Sequence, residues 1–169
     1  MLLELGDKNS RLYSKLYVSA SDIGYARACA AYLIKNGWHH APWQKRGGIY
    51  FRQSAFTTAL VVSYARPFTK SVGWPRFPSN IFVYSKAEKK LHARLLKLRH
   101  KVYAHSDSES YSIRPWLSGT LSTDIVGAPM LRISARDAAM FLNMADKALK
   151  GIQEHLQELR RPVQLPNES

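Results

Sequence analysis

Residues 85–105 read SKAEKKLHARLLKLRHKVYAH, a pattern that predicts one long amphipathic helix. Ser85 is a favourable N-cap residue, and the helix is expected to run from residue 86 to about residue 104. On a helical wheel at about 100° per residue, one narrow stripe is entirely apolar. Its members are Leu91, Leu95, Leu98 and Val102. This stripe is expected to face the core of a helical bundle.

A second stripe of the same helix is cationic. It lies roughly 120° from the apolar stripe on the wheel and has almost no acidic neighbour. Its members are Lys86, Lys90, Arg94, Lys97 and Lys101. A continuous cationic face can follow a phosphate backbone, so the last four of these are predicted to bind nucleic acid. The alternative interpretation is an ordinary solvated helix face.

Two further helices are predicted at the ends of the chain. The first has N-cap candidates at Ser19 and Asp22 and stops at Asn36-Gly37, a typical helix end. The last runs from Ser134 to about residue 160, because the Ser134 hydroxyl stands three residues before Asp137 in a capping arrangement.

Another helix is predicted at residues 49–66. Small and apolar residues recur there at helical spacing, and the following Pro67 ends the run. The recurring residues are Phe51, Ala55, Ala59, Val62 and Ala65. The β-branched stretch at residues 57–62 leaves a strand as the alternative.

An irregular segment separates the third helix from the fourth. Residues 111–133 contain two prolines and two glycines around short alternating stretches, which predicts a loop or a small hairpin. The predicted fold class is therefore all-α, a four-helix bundle with this insert. Residues 1–160 are expected to form a single domain, and residues 161–169 a flexible C-terminal tail.

The composition favours a polyanionic partner. The chain carries 25 Lys and Arg against 12 Asp and Glu, a formal net charge of +13. The alternative is a basic protein whose charge serves only solubility. Cys29 is the only cysteine, which excludes an intrachain disulfide. The N-terminal residues lack a secretory pattern and no apolar run could span a membrane, so a cytoplasmic location is expected.

The end of the basic helix combines a fixed cation, Arg99, with a titratable imidazole, His105. Arginine can hold a phosphate with two parallel hydrogen bonds, and histidine can exchange a proton near neutral pH. Each lies roughly 60° from the apolar stripe, on opposite flanks. Both can reach one phosphate only if the helix end is distorted or a second copy contributes. The structural alternative is His105 at the negative end of the helix dipole and Arg99 paired with Asp107.

Other sequence features narrow the chemistry. His92, seven residues before Arg99, could flank the same groove. The sequence holds no Walker loop, no Gly-rich dinucleotide turn and no His-Glu-x-x-His pair. Its carboxylates do not fall at the helical spacings of a two-metal nuclease. We therefore expect neither a metal nor a cofactor.

The motif resembles the Arg-x(4–6)-His motif of HEPN domains, the higher-eukaryote and prokaryote nucleotide-binding family. A polar residue follows the arginine in that family, as His100 does here, and the motif ends the third of four bundle helices. Leu98 before the motif and Ser106-Asp107 after it are similar to bacterial members. The resemblance implies a HEPN-like homodimer in which two motifs meet to form a composite site for metal-independent RNA cleavage.

The resemblance also implies roles for individual residues. His105 would act as general acid or base, and Arg99 would stabilise charge on the phosphoryl oxygens, giving a 2′,3′-cyclic phosphate. His100 would orient the substrate or the other imidazole, with a surface or interface role as the alternative. Tyr103 would stack on a base or pack against a neighbour.

Two functions follow as expectations. The first is an endoribonuclease of bacterial defence, stress or toxin–antitoxin systems, with RNA as substrate and an antitoxin or a nucleotidyltransferase as candidate partner protein. The second is a non-catalytic HEPN-like module that binds RNA or nucleotide, or that serves as a dimerising scaffold.

Overall fold

The computed structural model describes residues 5–41, 43–45, 47–78, 80–103, 112–127 and 132–161. Most of these residues are helical, and a small two-stranded sheet is inserted before the last helix. The α-helices are α1 (Asp7–Lys35), α2 (Ile49–Ala65), α3 (Lys86–Leu98) and α4 (Ala135–Arg160). A 3-10 turn (Arg66–Phe68) follows α2, and a π-helical turn (Arg99–Tyr103) follows α3. The strands are β1 (Ser112–Ser118) and β2 (Leu121–Gly127).

All four helices contribute to one hydrophobic core. The long helix α1 packs along α2 and α4, and α3 contacts α2 and α4. Leu33, Leu60, Leu95 and Phe141, one from each helix, are almost completely buried. Burial of each such side chain stabilises the fold by about 1.5–3 kcal/mol. Tyr64 is buried among them, with its ring centroid 4.9 Å from that of Phe141.

Helix α1 begins at Asp7, so the predicted N-cap at Ser19 and Asp22 is wrong. Ser19 is buried within the helix, and the Asp22 carboxylate accepts a hydrogen bond from Arg66 at 3.1 Å. The apolar spacing of the buried face begins at Leu16, upstream of the proposed cap, and this spacing carries the helix through. The predicted end is confirmed, because Asn36 is the C-cap and Gly37 has a φ of 62°.

Helix α2 confirms the predicted helix over the strand alternative, but of the recurring small and apolar residues only Ala65 is fully buried. Phe51 is 82% exposed, and Ala55 and Ala59 are also exposed. The buried residues are Gln53, Thr57, Leu60, Val61, Tyr64 and Ala65. Gln53 can be buried because its amide accepts a hydrogen bond from the His40 backbone N–H at 2.8 Å and donates to the His40 carbonyl at 3.1 Å.

Helix α3 begins where the sequence predicts, at a complete capping box. Ser85 Oγ accepts a hydrogen bond from the Glu88 backbone N–H at 3.3 Å, and the Glu88 carboxylate accepts one from the Ser85 N–H at 2.7 Å. Lys147 of α4 donates to the same carboxylate at 2.7 Å. Although burial opposes ionisation of Glu88, the hydrogen bonds from Lys147 and Ser85 outweigh it and lower the pKa of this carboxyl.

The insert contains the hairpin that the sequence offered as one of two alternatives. The antiparallel strands β1 and β2 pair from Ser112↔Gly127 to Ser118↔Leu121, leaving Gly119 and Thr120 as the loop. Gly119 takes a φ of 57°, which suits the first loop position of a type II′ turn. Side chains at residues 112–126 are all exposed, so the hairpin extends from the helical core rather than adding to it.

Helix α4 confirms its predicted cap, since Ser134 Oγ accepts a hydrogen bond from the Asp137 N–H at 3.0 Å. Near its other end, Gly151 lies directly beneath the loop before α3. A Cβ at this position would overlap the backbone carbonyl and side chain of Ile81. The absence of a side chain at Gly151 therefore lets this loop lie against α4. Beyond Arg161, the predicted C-terminal tail lies outside the described residues.

Candidate nucleic-acid interface

Arg99 stands at the point where α3 changes from an α-helix to the π-helical turn. Its backbone is still α-helical, with φ −55° and ψ −45°, and its side chain is half-buried. π-Helical turns occur mostly as local insertions in α-helices and are frequent at functional sites. The turn also means that the regular wheel used for the sequence prediction does not extend past residue 98.

The Arg99 side chain lines a cleft of about 270 Å³ between α1, the turn after α2 and the end of α3. Three other cationic residues line it, which are Lys15 of α1, Arg66 of the 3-10 turn and Lys70 of the loop after that turn. Trp74 also contributes to the wall. We call this feature, formed by Lys15, Arg66, Lys70, Trp74 and Arg99, the Arg99 cleft.

Charge in the Arg99 cleft is unbalanced. Among the described residues that line it, Asp22 is the one carboxylate, and it is paired with Arg66. The Lys15 and Arg99 side chains make no ion pair or hydrogen bond within the described part of the chain. Two cations without ion-pair partners in one concave site favour the binding of an anion, and arginine suits a phosphate in particular.

Lys15 is an unusual member of this cleft because the residue is only 7% exposed. Burial lowers the pKa of its amine, and the nearby Asp22 carboxylate offsets only part of that effect. Keeping a lysine buried without an ion pair costs stability. An anion bound in the cleft would supply the ion pair that Lys15 lacks among the described residues.

A second concavity adjoins the cleft and is lined by aromatic rings. It has a volume of about 430 Å³, and we call it the aromatic cavity. The rings that line it are Phe68, Trp74, Phe77, Phe82, Tyr84 and His92. The cavity and the Arg99 cleft share residues of the loop that follows the 3-10 turn, including Lys70 and Trp74, so the two sites form a continuous surface.

The rings of the aromatic cavity are packed mainly edge to face. The Phe68 centroid lies 4.8 Å from that of His92, at an interplanar angle of 86°, and 5.1 Å from that of Phe77, at 65°. The Phe82 and Tyr84 rings close another side at 4.6 Å. Three of these rings, Phe68, Phe77 and Phe82, are only partly buried, so apolar ring surface remains open to the cavity.

A hydrogen-bonded chain links the cavity to the bundle core. The Tyr64 hydroxyl lies 2.8 Å from His92 Nδ1 and 3.1 Å from the Tyr84 hydroxyl. Burial raises the pKa of Tyr84 to about 12 and raises that of Tyr64 further, while burial lowers the pKa of His92. All three groups are therefore neutral at pH 7.

The rim of the aromatic cavity is cationic. Lys70, Arg76 and Lys89 line its opening and are exposed, and no carboxylate stands among the described lining residues. Proteins that bind single-stranded nucleic acid combine a positively charged groove with aromatic side chains that stack on bases. The Arg99 cleft and the aromatic cavity together have both properties.

The predicted phosphate-binding residues Lys90, Arg94 and Lys97 lie elsewhere. They line a groove of about 670 Å³ between α3 and α4, together with Arg136 and Asp137, and none of the three contributes to the Arg99 cleft. The structure therefore divides the predicted residues between two faces of α3. Lys89, His92 and Arg99 share one face, because their spacings keep them on one side of the helix.

The cationic stripe has almost no acidic neighbour within α3, but α4 supplies one. Asp137, at the start of α4, accepts a hydrogen bond from Arg94 at 2.7 Å. Burial disfavours the ionised carboxylate, but the bonds from Arg94 and Ser134 outweigh this and lower the pKa of Asp137. The sequence could not reveal this pair, because the two residues are brought together only when α3 and α4 pack.

The remaining predicted site residues follow Arg99. His100 and Lys101 belong to the π-helical turn and are exposed, and the Tyr103 backbone ends that turn. His105, the predicted catalytic partner of Arg99, lies outside the described residues, as does Asp107.

Several residues of the interface were missed by sequence reasoning. They are Lys15, Arg66, Lys70, Trp74, Phe77 and Tyr84. The aromatic and proline content of residues 68–80 indicates a loop anchored by its own side chains. The spacing of His92 and Arg99 indicates a common helix face. Neither signal shows that this face of α3 lies beside Lys15 of α1, which is distant in the sequence.

Within the described ranges, no three His, Cys, Asp or Glu side chains come together as a set that could hold a metal ion. No helix in the same ranges is long and apolar enough to cross a membrane.

The chain was compared with protein-family models, with curated proteins and with solved structures, and no match was found in any of the three comparisons.

Proposed function

We propose that this chain binds single-stranded RNA at the Arg99 cleft and cleaves it as a metal-independent endoribonuclease of HEPN type. The observation that carries the proposal is Arg99, a half-buried residue at a π-helical turn whose guanidinium makes no ion pair or hydrogen bond among the described residues. It stands at the arginine position of the Arg-x(4–6)-His motif, and three further cationic residues line the same cleft.

The proposed chemistry assigns one step to each motif residue. A histidine acting as base takes the proton of the ribose 2′-hydroxyl, and the 2′-oxygen then bonds to phosphorus. The bond from phosphorus to the 5′-oxygen breaks, and an acid protonates that leaving oxygen. His105 supplies the proton transfers, and Arg99 stabilises the charge that grows on the phosphoryl oxygens. The products are a 2′,3′-cyclic phosphate and a 5′-hydroxyl.

A homodimer is part of this proposal, because two proton transfers need a base and an acid, and each motif contains one His105. His100 would orient the substrate or the second imidazole. The proposal assigns the activity to the cytoplasm, in a defence, stress or toxin–antitoxin system, with an antitoxin or a nucleotidyltransferase protein as its candidate partner.

A non-catalytic RNA-binding or dimerising module is the second candidate. The adjoining aromatic cavity favours it, because stacking rings and a cationic rim support binding without any contribution from His105. An RNA-binding module differs from the proposed enzyme only in what happens after RNA binds, whereas a dimerising module need not bind RNA.

Incubation of a mixed-sequence RNA with the purified protein in excess EDTA tests the proposal. We expect cleavage to cyclic-phosphate ends that disappears in both His105→Ala and Arg99→Gln variants and persists in Lys97→Gln, which removes one charge from the other face of α3. RNA that is bound but remains intact with the wild-type protein would favour the binding module. Absence of both binding and cleavage would refute the endoribonuclease and the RNA-binding module, and would leave only a dimerising module.

A further inference from the structure

The aromatic cavity is large enough to take a ligand, and its walls suit a flat one. Its volume of about 430 Å³ falls within the usual range of small-molecule sites. The partly buried rings of Phe68, Phe77 and Phe82 present apolar surface to its interior. Such surface is expensive to leave in contact with water, and a planar heterocycle would cover it.

The cationic residues around the opening of the cavity restrict the charge of a flat ligand that could bind there. Lys70, Arg76 and Lys89 surround it, and no described lining residue is acidic. The rim therefore favours a ligand that carries negative charge next to its planar group. A nucleotide has this arrangement, because its base is flat and its phosphate is anionic.

The position of the cavity matches the covalent structure of a nucleic-acid strand. Lys70 and Trp74 line both the cavity and the Arg99 cleft, so a base in the cavity would have its phosphate near the cationic cleft. A strand could thus occupy both sites without crossing an intervening ridge. The Trp74 ring, 41% exposed at this junction, can stack on a neighbouring base.

The cavity also contains a polar group suited to reading a base edge. His92 Nδ1 is engaged with the Tyr64 hydroxyl, and Nε2 has no hydrogen-bond partner within the described part of the chain. A neutral histidine has one donor and one acceptor nitrogen, so Nε2 offers a single bond of defined kind. The direction of the Tyr84–Tyr64–His92 chain decides whether that bond is donated or accepted.

We propose that the aromatic cavity holds one unpaired nucleobase of the RNA strand whose phosphate binds in the Arg99 cleft, with His92 Nε2 bonding to the edge of that base. This inference rests on the proposed RNA-binding function and adds to it a site that reads a base. It makes the protein selective for single-stranded RNA, since a paired base cannot enter the cavity.

Two ligands of equal charge test this inference. One is a fluorescent 2′-O-methyl uridine hexanucleotide, which cannot be cleaved because its 2′-oxygen is blocked. The other is the same strand with every base removed. We expect the wild-type protein to bind the base-bearing strand at least about tenfold more tightly, as stacking of one base predicts. Homopolymers of the other three bases then report the preference of the cavity.

Two matched variants locate the effect. Phe77→Leu removes a ring from the cavity and should reduce the preference for the base-bearing strand several-fold, whereas Phe51→Leu removes an exposed ring of α2 and should leave the preference unchanged. The tryptophan fluorescence of the wild-type protein provides a further measurement. Trp74 emission should change with the base-bearing strand and not with the base-free strand, and this response should be absent in Trp74→Phe.

The outcomes separate the two claims. Equal binding of both strands, weakened by Arg99→Gln, would overturn the base site and leave the proposed RNA-binding function intact. A base preference that survives Phe77→Leu and produces no Trp74 response would also overturn the base site. Failure of the wild-type protein to bind either strand would refute the RNA-binding function, and the base site with it.

Discussion

The Tyr64 hydroxyl, on a side chain buried in the middle of the core, lies 2.8 Å from Nδ1 of His92 at the wall of the aromatic cavity. This hydrogen bond joins α2 to α3 and fixes the orientation of the imidazole. The Tyr84 hydroxyl extends the chain at 3.1 Å. One wall of the proposed base site is thus hydrogen-bonded to a side chain in the fully buried core.

Removing the Tyr64 hydroxyl should lower stability. Tyr64→Phe leaves Nδ1 of His92 and the Tyr84 hydroxyl without their shared partner, at an expected cost of about 1–3 kcal/mol in unfolding free energy. Urea denaturation measures this cost. Tyr25→Phe, at a position that is exposed, is the control and should change stability little. Equal stability of the two variants would contradict the structural role of the chain.

The neutral state of His92 predicts a dependence of stability on pH. Because burial lowers its pKa in the folded protein, the unfolded chain binds the proton first as the pH falls. The contribution of neutral His92 to the unfolding free energy is complete above the ordinary histidine pKa of about 6.5. It is lost as the pH falls from that value to the lower pKa of His92 in the folded protein. Urea denaturation of wild type and His92→Gln across this range should give a steeper decline for wild type. If the unfolding free energies of the two proteins changed in parallel with pH, His92 would have the same pKa in the folded and unfolded chains, which would contradict the prediction.

The capping box of α3 predicts a second loss of stability, at a lower pH than the loss expected from His92. The lowered pKa of Glu88 means that its contribution is present above the ordinary glutamate value of about 4.3 and disappears as the pH falls through the folded value. Glu88→Gln should therefore be less stable than wild type at neutral pH, with the difference shrinking in acid. The same test on Glu154→Gln, an exposed residue of α4, should show almost no difference at either pH.

Gly151 should tolerate no side chain. Gly151→Ala would force the Ile81 backbone away from α4, and overpacking of this kind costs about 1–3 kcal/mol. Gly24→Ala is the matched control, because it lies within α1 and a Cβ there meets no neighbour. That change should raise stability by about 0.5–1 kcal/mol through helix propensity. Melting temperatures that shift in the same direction would contradict the close contact at Gly151.

Lys15 should show opposite effects on stability and on binding. Lys15→Met keeps the buried aliphatic stem and removes a charge without an ion pair among the described residues, so the free protein should be at least as stable as wild type. The same variant should bind RNA several-fold more weakly. A variant that loses stability but keeps its RNA affinity would show that Lys15 has a structural role instead.

The helices could be predicted because their signals are local. The Ser85 and Ser134 caps, the stop at Gly37 and the break at Pro67 each act within a few residues. The start of α1 was missed although an apolar spacing through Leu16 was present, because the Ser19 region resembles a cap and side-chain burial overrides that local preference.

Of the residues in the candidate site, the sequence indicated only Arg99 and its neighbours on the same face of α3. The cleft needs Lys15 and Arg66, and these are brought to Arg99 by the packing of α1 and the turn after α2. The basic stripe of α3 was visible on a helical wheel, yet a wheel cannot show that Asp137 would pair with Arg94. Charge along one helix identifies candidates, and tertiary contacts decide which of them remain available to a ligand.

The most direct measurement compares the two cationic faces of α3. The affinity of the purified protein for the uncleavable 2′-O-methyl RNA would be determined over a range of salt concentrations for wild type, Arg99→Gln and Lys97→Gln, which lose the same charge. We predict that Arg99→Gln binds at least about tenfold more weakly, with a shallower salt dependence, as expected for a lost phosphate contact, while Lys97→Gln stays close to wild type. A large loss for Lys97→Gln with wild-type affinity for Arg99→Gln would contradict the account and assign the RNA to the groove between α3 and α4.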